Sequence, residues 1–414
     1  MSDYALFSVF GIEIEYMLVE KDTLNVKPCS DSILEALSKH LNHPCTTPPN
    51  EIDLGNIAIS NELVMHVLEF KNPTPHPRNA PLGDYFQEAI QQLQPLLAAQ
   101  GVCLLPTGAH PWMSPQLETQ RWPHGNQDIY DKYHHIFNCQ GHGWSNLQSM
   151  HLNFPFANDE EFCRLHNAIR IFLPLIPAIA ASTPFLEGKK TGIKDSRLHV
   201  YGNNQKAIPQ IAGDIIPDFI CTESDYRERI LTPMYRSIAP FDPEGILQYE
   251  WLNSRAAIPK FERKSIEIRI VDSQECVAAD MAIASLIWSV LKFWVMQTDR
   301  YIESPPETAR LKAVYEENLR SGLESSLEDR TLSEQWGLSP KTRTSREIWA
   351  ALIEKVSTDL DHSTQKILEY ILSYGNLSER LLNAYKGNTQ SNILYQLYHQ
   401  LSQCLLNNQL FIVR

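Results

Sequence analysis

The stretch Gly11-Ile12-Glu13-Ile14-Glu15-Tyr16 decides the fold that we predict for this chain of 414 residues. Side chains of a β-strand alternate between two faces, so Glu13 and Glu15 share one face and the apolar side chains share the other. Adjacent carboxylates on one face repel each other, and a bound cation would relieve the repulsion. The stretch predicts a strand over residues 8–19 with a cation-binding face, although a solvated face would give the same pattern.

Two later stretches repeat this alternation. In residues 265–271, Glu267 and Arg269 share one face and three isoleucines share the other. In residues 148–154, Ser149, His151 and Asn153 lie on one face. Three strands that are distant in sequence thus present polar, metal-competent groups on one side only. We expect them to form an antiparallel sheet whose open face is an active site.

Two more carboxylates accompany a second apolar strand, predicted over residues 63–70. Glu69 lies inside the apolar run, where an unpaired carboxylate is costly. Glu62 comes seven residues earlier, so one regular strand would place the two on opposite faces. Either Glu62 lies in the turn before the strand or a β-bulge resets the register. Taken alone, Glu62 has the features of a surface residue.

The types of these side chains indicate which cation they would bind. Glutamates with a single histidine form an oxygen-rich set that suits magnesium or manganese better than zinc. Such cations commonly bridge a protein to nucleotide phosphates. Arg269, with Arg255 and Arg197, would bind phosphate or carboxylate oxygens through paired hydrogen bonds. The chain has no Walker sequence and no convincing Gly-x-Gly-x-x-Gly, which disfavours a P-loop or Rossmann site.

The composition indicates a globular protein. Hydrophobic residues make up 43% of the chain and charged residues 21%, and the formal net charge of -13 disfavours a nucleic-acid partner. The most apolar segment, residues 281–295, is interrupted by polar residues and predicts a buried helix, so we expect no membrane partner. We see no signal peptide at the start, and eight scattered cysteines predict free thiols in a reducing cytoplasm.

Helical spacing and turn residues organise the rest of the chain. Residues 250–272 predict a hairpin that brings Arg255 near Glu267. The predicted loops are 43–56, 126–145 and, as loop or short strand, 196–203. The predicted helices are 30–40, 81–100, 159–181 with kinks at its two prolines, 278–299, 308–319, 344–372 and 378–408.

Short motifs along the chain occur in the order found in one known family. The motifs are Gly11-Ile12-Glu13-Ile14-Glu15, Val67-Leu68-Glu69-Phe70-Lys71-Asn72-Pro73, Gly108-Ala109-His110-Pro111, Gln148-x-x-His151, Ser196-Arg197, Arg255 with Pro259, and Ile266-Glu267-Ile268-Arg269-Ile270-Val271-Asp272. Together they resemble the glutamate–cysteine ligase family, and most of all its bacterial type 2, or carboxylate–amine ligase, branch. The likeness spans roughly residues 8–295. Ala109 departs from the pattern, since the family more often has threonine there.

This resemblance implies an α+β fold like that of glutamine synthetase, with a curved antiparallel sheet, flanking helices, and ATP and magnesium on the concave face. Arg269 falls on a phosphate-contacting, catalytic position. Arg255 falls on a second catalytic position, and Arg197 and Gln148 fall on cofactor-binding positions. The positions that ligate Mg²⁺ or Mn²⁺ are Glu13, Glu15, Glu62, Glu69, His151 and Glu267.

The implied activity is formation of an amide, of the γ-glutamyl type, from an amino acid and an amine through an acyl phosphate. We expect a catalytic domain over residues 1–300 and a helical extension over residues 301–414 packed on the same domain. A homo-oligomer is compatible with the sequence. Three alternatives stay open: a guanidino or carboxylate kinase on the same fold, a non-catalytic metal-binding protein, and a metal-dependent amidohydrolase. The last would require more histidines at the site.

Overall fold

The computed structural model describes residues 4–413 without residues 44, 298, 340, 343 and 387–391. The strands of this part are β1 (Gly11–Glu20), β2 (Glu51–Asp53), β3 (Ala58–Asn61), β4 (Val67–Lys71), β5 (Val102–Leu105), β6 (Ser149–Pro155), β7 (Phe185–Leu186), β8 (Lys189–Lys190), β9 (Ala257–Lys260) and β10 (Ser265–Asp272). The helices are α1 (Ser30–His40), α2 (Leu82–Ala99), α3 (Pro115–Glu118), α4 (Gln127–Phe137), α5 (His142–Ser145), α6 (Asp159–Phe172), α7 (Ile176–Ala180), α8 (Ser196–Tyr201), α9 (Glu223–Tyr226), α10 (Thr232–Ile238), α11 (Val277–Gln297), α12 (Arg300–Glu303), α13 (Thr308–Ser321), α14 (Arg330–Gln335), α15 (Ser345–Val356), α16 (His362–Tyr374), α17 (Leu377–Lys386) and α18 (Ile393–Asn407).

One antiparallel sheet organises the described chain, with strand order β2-β3-β4-β1-β6-β10-β9 and β5 paired to β1. β1 lies at its centre because Ile12, Ile14 and Tyr16 fill the core while the glutamates face the other way. Along one side β1 pairs with β4. Along the other side its first half pairs with β6 and its second half with β5. The predicted α+β fold, an antiparallel sheet flanked by helices, is confirmed.

The apolar face of the sheet packs against long helices. The hydroxyl of Tyr16 on β1 donates to Asp280 on α11 at 3.4 Å, which places this helix directly behind the central strand. A 3₁₀ turn at Leu173–Leu175 separates α6 from α7, so the predicted helix is interrupted at its prolines. Residues 159–180 and 277–297 are long and apolar enough to span a membrane, but 89% and 72% of their apolar windows are buried inside this fold.

Helices α12 to α16 share the same apolar core, whereas α17 and most of α18 pack in a second apolar cluster with the end of β1 and with β5. The indole N–H of Trp336 donates to the carbonyl of Ile171 at 2.9 Å, and that of Trp349 donates to the carbonyl of Leu175 at 3.1 Å. These bonds attach α14 and α15 to the end of α6 and the turn that follows it. The division at residue 300 into a catalytic domain and a helical extension stays a prediction.

Several predicted loops contain regular structure. Residues 126–145 form α4 and α5, because Ile129, Tyr133 and Phe137 follow a helical period that was not recognised in a polar segment. α8 replaces the loop predicted at 196–203, and the carboxylate of Asp195 caps it. β2 lies within the predicted loop 43–56. The predicted helix 344–372 is interrupted at Ser357–Asp359, and residues 387–391 of the predicted helix 378–408 lie outside the described residues.

Two cysteines depart from the prediction of free thiols. Cys163 on α6 and Cys221, which precedes α9, form a disulfide. The two are separated by 58 residues, so only the tertiary fold brings their sulfur atoms together. The six remaining cysteines are free thiols. The cytoplasmic location stays a prediction.

Candidate active site

Six of the predicted residues converge on the polar face of the sheet, around a cavity of about 330 Å³. Glu13 on β1 lies opposite His151 on β6, and Glu15 lies opposite Glu69 on β4. Residues that face each other across antiparallel strands have Cβ atoms about 5 Å apart, so strand pairing itself brings these side chains together. We call this group the ligand cluster; its members are Glu13, Glu15, Glu62, Glu69, His151 and Glu267.

Glu62 and Glu267 belong to the ligand cluster although neither lies in a regularly paired strand. Glu62 lies in the turn between β3 and β4, so the first of the two alternatives for this residue is correct. Glu267 lies on β10, whose register with β6 shifts between Ile268 and Val271. Such a β-bulge commonly redirects side chains beside an active site. Here Glu267 and Arg269 both line the cavity.

Two groups of three side chains have the spacing of a metal site. Ligand atoms of Glu13, Glu69 and His151 lie within 4.8 Å of one another. The same holds for Glu15, Glu62 and Glu69. Carboxylates with one imidazole are the donor set of a hard divalent cation, and Glu69 could bridge two such ions. The residues therefore fit magnesium or manganese.

Hydrogen bonds from β6 orient the carboxylates of β1. Ser149 donates from its backbone N–H and its hydroxyl to one oxygen of Glu15, at 2.7 and 3.1 Å. Asn153 donates its side-chain N–H to Glu13 at 3.1 Å. The Nδ1 atom of His151 lies 3.2 Å from Glu13. The three polar residues predicted on one face of β6 thus all contact the cluster or belong to it.

Burial and mutual repulsion displace the pKa values of the cluster. Burial, with the charges of Glu13 and Glu62, raises the pKa of Glu69 to about 8. Burial and the charge of Glu15 raise the pKa of Glu62 to about 7. Burial opposes the charged form of His151, but its hydrogen bond to Glu13 and the nearby carboxylates raise its pKa to about 9. A divalent cation would relieve the mutual repulsion of these buried carboxylates, so the cluster favours the binding of such a cation.

Three basic side chains border the cluster. Arg269 donates from Nη2 to Glu267 at 2.6 Å, and Lys260 contacts the other carboxylate oxygen. Burial opposes ionisation of Glu267, but the two cations hold its pKa well below the usual range. Arg197 donates from Nε to the buried Asp272 at 2.5 Å. In the described chain, Nε of Arg269 and Nη2 of Arg197 are buried without a hydrogen-bond partner, so both suit an anionic substrate oxygen.

Arg255 and Gln148 do not line this cavity. β9 and β10 form the predicted hairpin, but its register places Ile258 opposite Glu267. Arg255 precedes β9, and its guanidinium bonds Asn253 at 3.1 Å, so the prediction that it lies near Glu267 is wrong. Gln148 is fully buried just before β6. The catalytic role of Arg255 and the cofactor contact of Gln148 stay predictions that this geometry does not support.

The sequence analysis missed two features of the cavity. The first is Lys260, which lies opposite Ser265 in the hairpin. Glu267 is the next residue after Ser265 on the same face of β10, so Lys260 and Glu267 are diagonal neighbours across the two strands. The second feature is a group of aromatic side chains beyond the cluster. We call it the aromatic wall; it consists of Tyr130, Tyr133, Trp144 and Trp251.

The fold resembles those of known ligases. A glutamate–cysteine ligase of Francisella tularensis in complex with AMP superimposes with a TM-score of 0.63, covering 97% of this chain and 90% of that one at 14% identity. A bifunctional glutathione synthetase of Pasteurella multocida gives a TM-score of 0.56 at 12% identity, covering 97% of this chain and 52% of that one. The chain thus has the fold found in glutamate–cysteine ligases.

Sequence comparison identifies the family. The glutamate-cysteine ligase family 2 matches residues 9–398, and the chain belongs to this family. An uncharacterized protein of Archaeoglobus fulgidus is 31% identical over 408 residues, which cover 98% of this chain and 100% of the relative. Against relatives from two Bradyrhizobium strains and Bdellovibrio bacteriovorus, the match spans only 57, 60 and 46% of the relative. The resemblance noted in the sequence is therefore confirmed.

Proposed function

We propose that the protein is an ATP-dependent carboxylate–amine ligase that forms an amide of the γ-glutamyl type. The main support is the convergence of six metal-competent side chains and two arginines with free N–H groups on one cavity of a chain from this family. Carboxylates alone would repel a nucleotide and an amino acid. The arginines and a bound divalent cation supply the opposite charge that both anions need.

The ligand cluster would hold Mg²⁺ or Mn²⁺, through Glu13, Glu15, Glu62, Glu69, His151 and Glu267. When bound, such a cation neutralises phosphate charge during phosphoryl transfer. The hydrogen bond to Glu267 holds the guanidinium of Arg269 beside the ligand cluster. Its Nε, which has no partner in the described chain, would donate to an oxygen of the transferring phosphoryl group. Arg197, held by Asp272, would donate Nη2 to a phosphate or to the carboxylate of the donor substrate.

The proposed reaction has two steps. A carboxylate oxygen of the donor attacks the γ-phosphorus of ATP. The bond between the γ-phosphorus and the oxygen that bridges it to the β-phosphate breaks, and ADP leaves. The amine nitrogen then attacks the carbonyl carbon of the acyl phosphate, the carbon–oxygen bond to phosphate breaks, and inorganic phosphate leaves. The nitrogen loses one proton to solvent or to a carboxylate of the site. One ATP is consumed for each amide formed.

Hydroxylamine tests this proposal without knowledge of the natural amine, because it converts an acyl phosphate into a hydroxamate. We expect hydroxamate formation from glutamate to require both ATP and Mg²⁺ or Mn²⁺, with one ADP released for each product. ADP release with a stable phosphorylated product and no hydroxamate would instead identify the guanidino kinase, and hydroxamate formation without an amide from any amine offered in place of hydroxylamine would identify the carboxylate kinase. Absence of both products across carboxylate donors would support the non-catalytic alternative.

We also propose a cytoplasmic location, a homo-oligomer, and no nucleic-acid or membrane partner. Residues 1–300 would form the catalytic domain, with a helical extension over residues 301–414 packed on the same domain. Helix α6 and helices α12 to α16 contribute to one apolar core, which supports a single unit. Small-molecule substrates suit the cavity of about 330 Å³.

A further inference from the structure

The aromatic wall closes the cavity on the side away from the sheet. The ring of Tyr133 on α4 lies 5.2 Å from that of Trp144 and 6.0 Å from that of Trp251. Tyr130, one turn earlier on α4, has its hydroxyl 3.4 Å from the side chain of Asn61, at the end of β3. The wall therefore stands directly beside the ligand cluster and is contributed by three separate segments of the chain.

The wall is only partly covered by the protein itself. None of the eleven residues of α4 is fully buried, although five of them are large and apolar or aromatic and pack against the core. The indole N–H of Trp144 is shielded from solvent and has no hydrogen-bond partner in the described chain. The partly exposed rings of the wall line the cavity, so they are available to a bound molecule.

The charges of the cavity limit which substrate meets the wall. Among the described lining residues, the arginines and lysines are Arg197, Lys260 and Arg269, and all three contact carboxylates at the sheet. The polar residues that accompany the wall, such as Asn204 and Ser254, are neutral. A substrate with an α-carboxylate needs a cation of its own. The wall offers aromatic faces instead, which bind flat apolar groups and ammonium groups.

We propose that the amine substrate is a primary amine with an aromatic or other flat apolar body and no carboxylate, and that the aromatic wall binds this body. The inference rests on the proposed function, since it assigns the second substrate of that reaction. The donor amino acid takes the charged side of the cavity, where Arg197 and Arg269 lie. The amine enters along the wall, so its nitrogen meets the acyl carbon beside the ligand cluster.

The adenine ring of ATP is the other flat group in the reaction, and the structure offers it a different place. A second cavity of about 510 Å³ begins on the other side of Glu13 and is lined by Lys71, Asn72 and Arg263. A ribose and two phosphates separate adenine from the γ-phosphate. With the γ-phosphate at the ligand cluster, the nucleoside extends into this second cavity and leaves the wall to the amine.

Matched pairs of acceptors test the proposal with the full-length protein, ATP, Mg²⁺ and glutamate. Tyramine is compared with tyrosine, phenethylamine with phenylalanine, and cysteamine with cysteine, with products identified by mass spectrometry. We expect kcat/KM for tyramine or phenethylamine to exceed that for cysteine by about tenfold or more. Higher kcat/KM for cysteine than for every aromatic amine would overturn the proposal. Hydroxamate formation in the same preparation separates this failure from failure of the proposed function.

Wall variants identify which substrate the wall binds. Tyr133→Ala and Trp144→Ala should each raise KM for the aromatic amine by about tenfold, and Trp144→Phe should restore most of the loss. Tyr374→Ala, at an exposed aromatic residue on α16 outside the cavity, is the matched control and should leave KM unchanged. If the wall variants raise KM for ATP more than KM for the amine, the wall binds adenine and the proposal is wrong.

Discussion

Replacement of Arg269 by lysine separates a catalytic arginine from a simple ion pair. Arg269 donates to Glu267 at 2.6 Å, and its Nε is buried with no partner among the described residues. Lysine keeps the positive charge but loses the planar fork of donors. Because Lys260 also contacts Glu267, that carboxylate keeps a cation in the variant. We therefore expect a change in the free energy of unfolding of no more than about 1 kcal/mol.

The expected effect on the reaction is much larger. Removal of one donor that stabilises developing charge lowers kcat by about 100-fold or more, which corresponds to about 2.7 kcal/mol of transition-state stabilisation. ADP release at saturating ATP and glutamate, with hydroxylamine as acceptor, measures the rate, and urea unfolding measures the stability. Arg229→Lys is the matched control, since Arg229 forms an exposed pair with Asp225 at 3.0 Å and should tolerate the change. An Arg269→Lys protein that turns over at the wild-type rate would refute the phosphoryl contact.

Three further predictions concern the ligand cluster. Glu13→Gln should lower kcat by about 100-fold without loss of the fold, and full activity in excess chelator would contradict the metal site. ATP should raise the melting temperature only with Mg²⁺ present, as measured by thermal unfolding; an equal rise in chelator would argue against the site. In the folded protein Glu69 has a pKa of about 8, against the ordinary 4.5. Between these two pH values the folded protein keeps a proton on Glu69 that the unfolded chain loses. In chelator, stability should therefore fall as pH rises from about 5 to about 8, and Glu69→Gln should reduce this fall.

The metal-competent face was predictable because it depends on local alternation. Strand geometry alone separates Glu13 and Glu15 from the isoleucine between them, and it does the same for Glu267 and Arg269. Burial of the intervening apolar residues then requires these polar groups to lie on the opposite face of one sheet. The strand period left a turn as one of two alternatives for Glu62, and the family resemblance added this residue to the ligands.

Contacts between segments were not predictable from local patterns. Arg255 was expected near Glu267, but the register of β9 with β10 places Lys260 there. One residue of register decides which side chain reaches a neighbour across a hairpin, and turn geometry sets that register. The disulfide between Cys163 and Cys221 was missed for a related reason, since pairing over 58 residues depends on how α6 packs.

By itself, the sequence determined the antiparallel sheet, its polar face and the chemical type of the ligands, because the two-residue period of a strand is written into neighbouring residues. Only the tertiary structure decided how the cavity is closed. α4, α5 and the segment before β9 bring Tyr133, Trp144 and Trp251 together from distant positions. Their meeting depends on the packing of whole elements, and no local pattern encodes the distance between elements that are far apart in the chain.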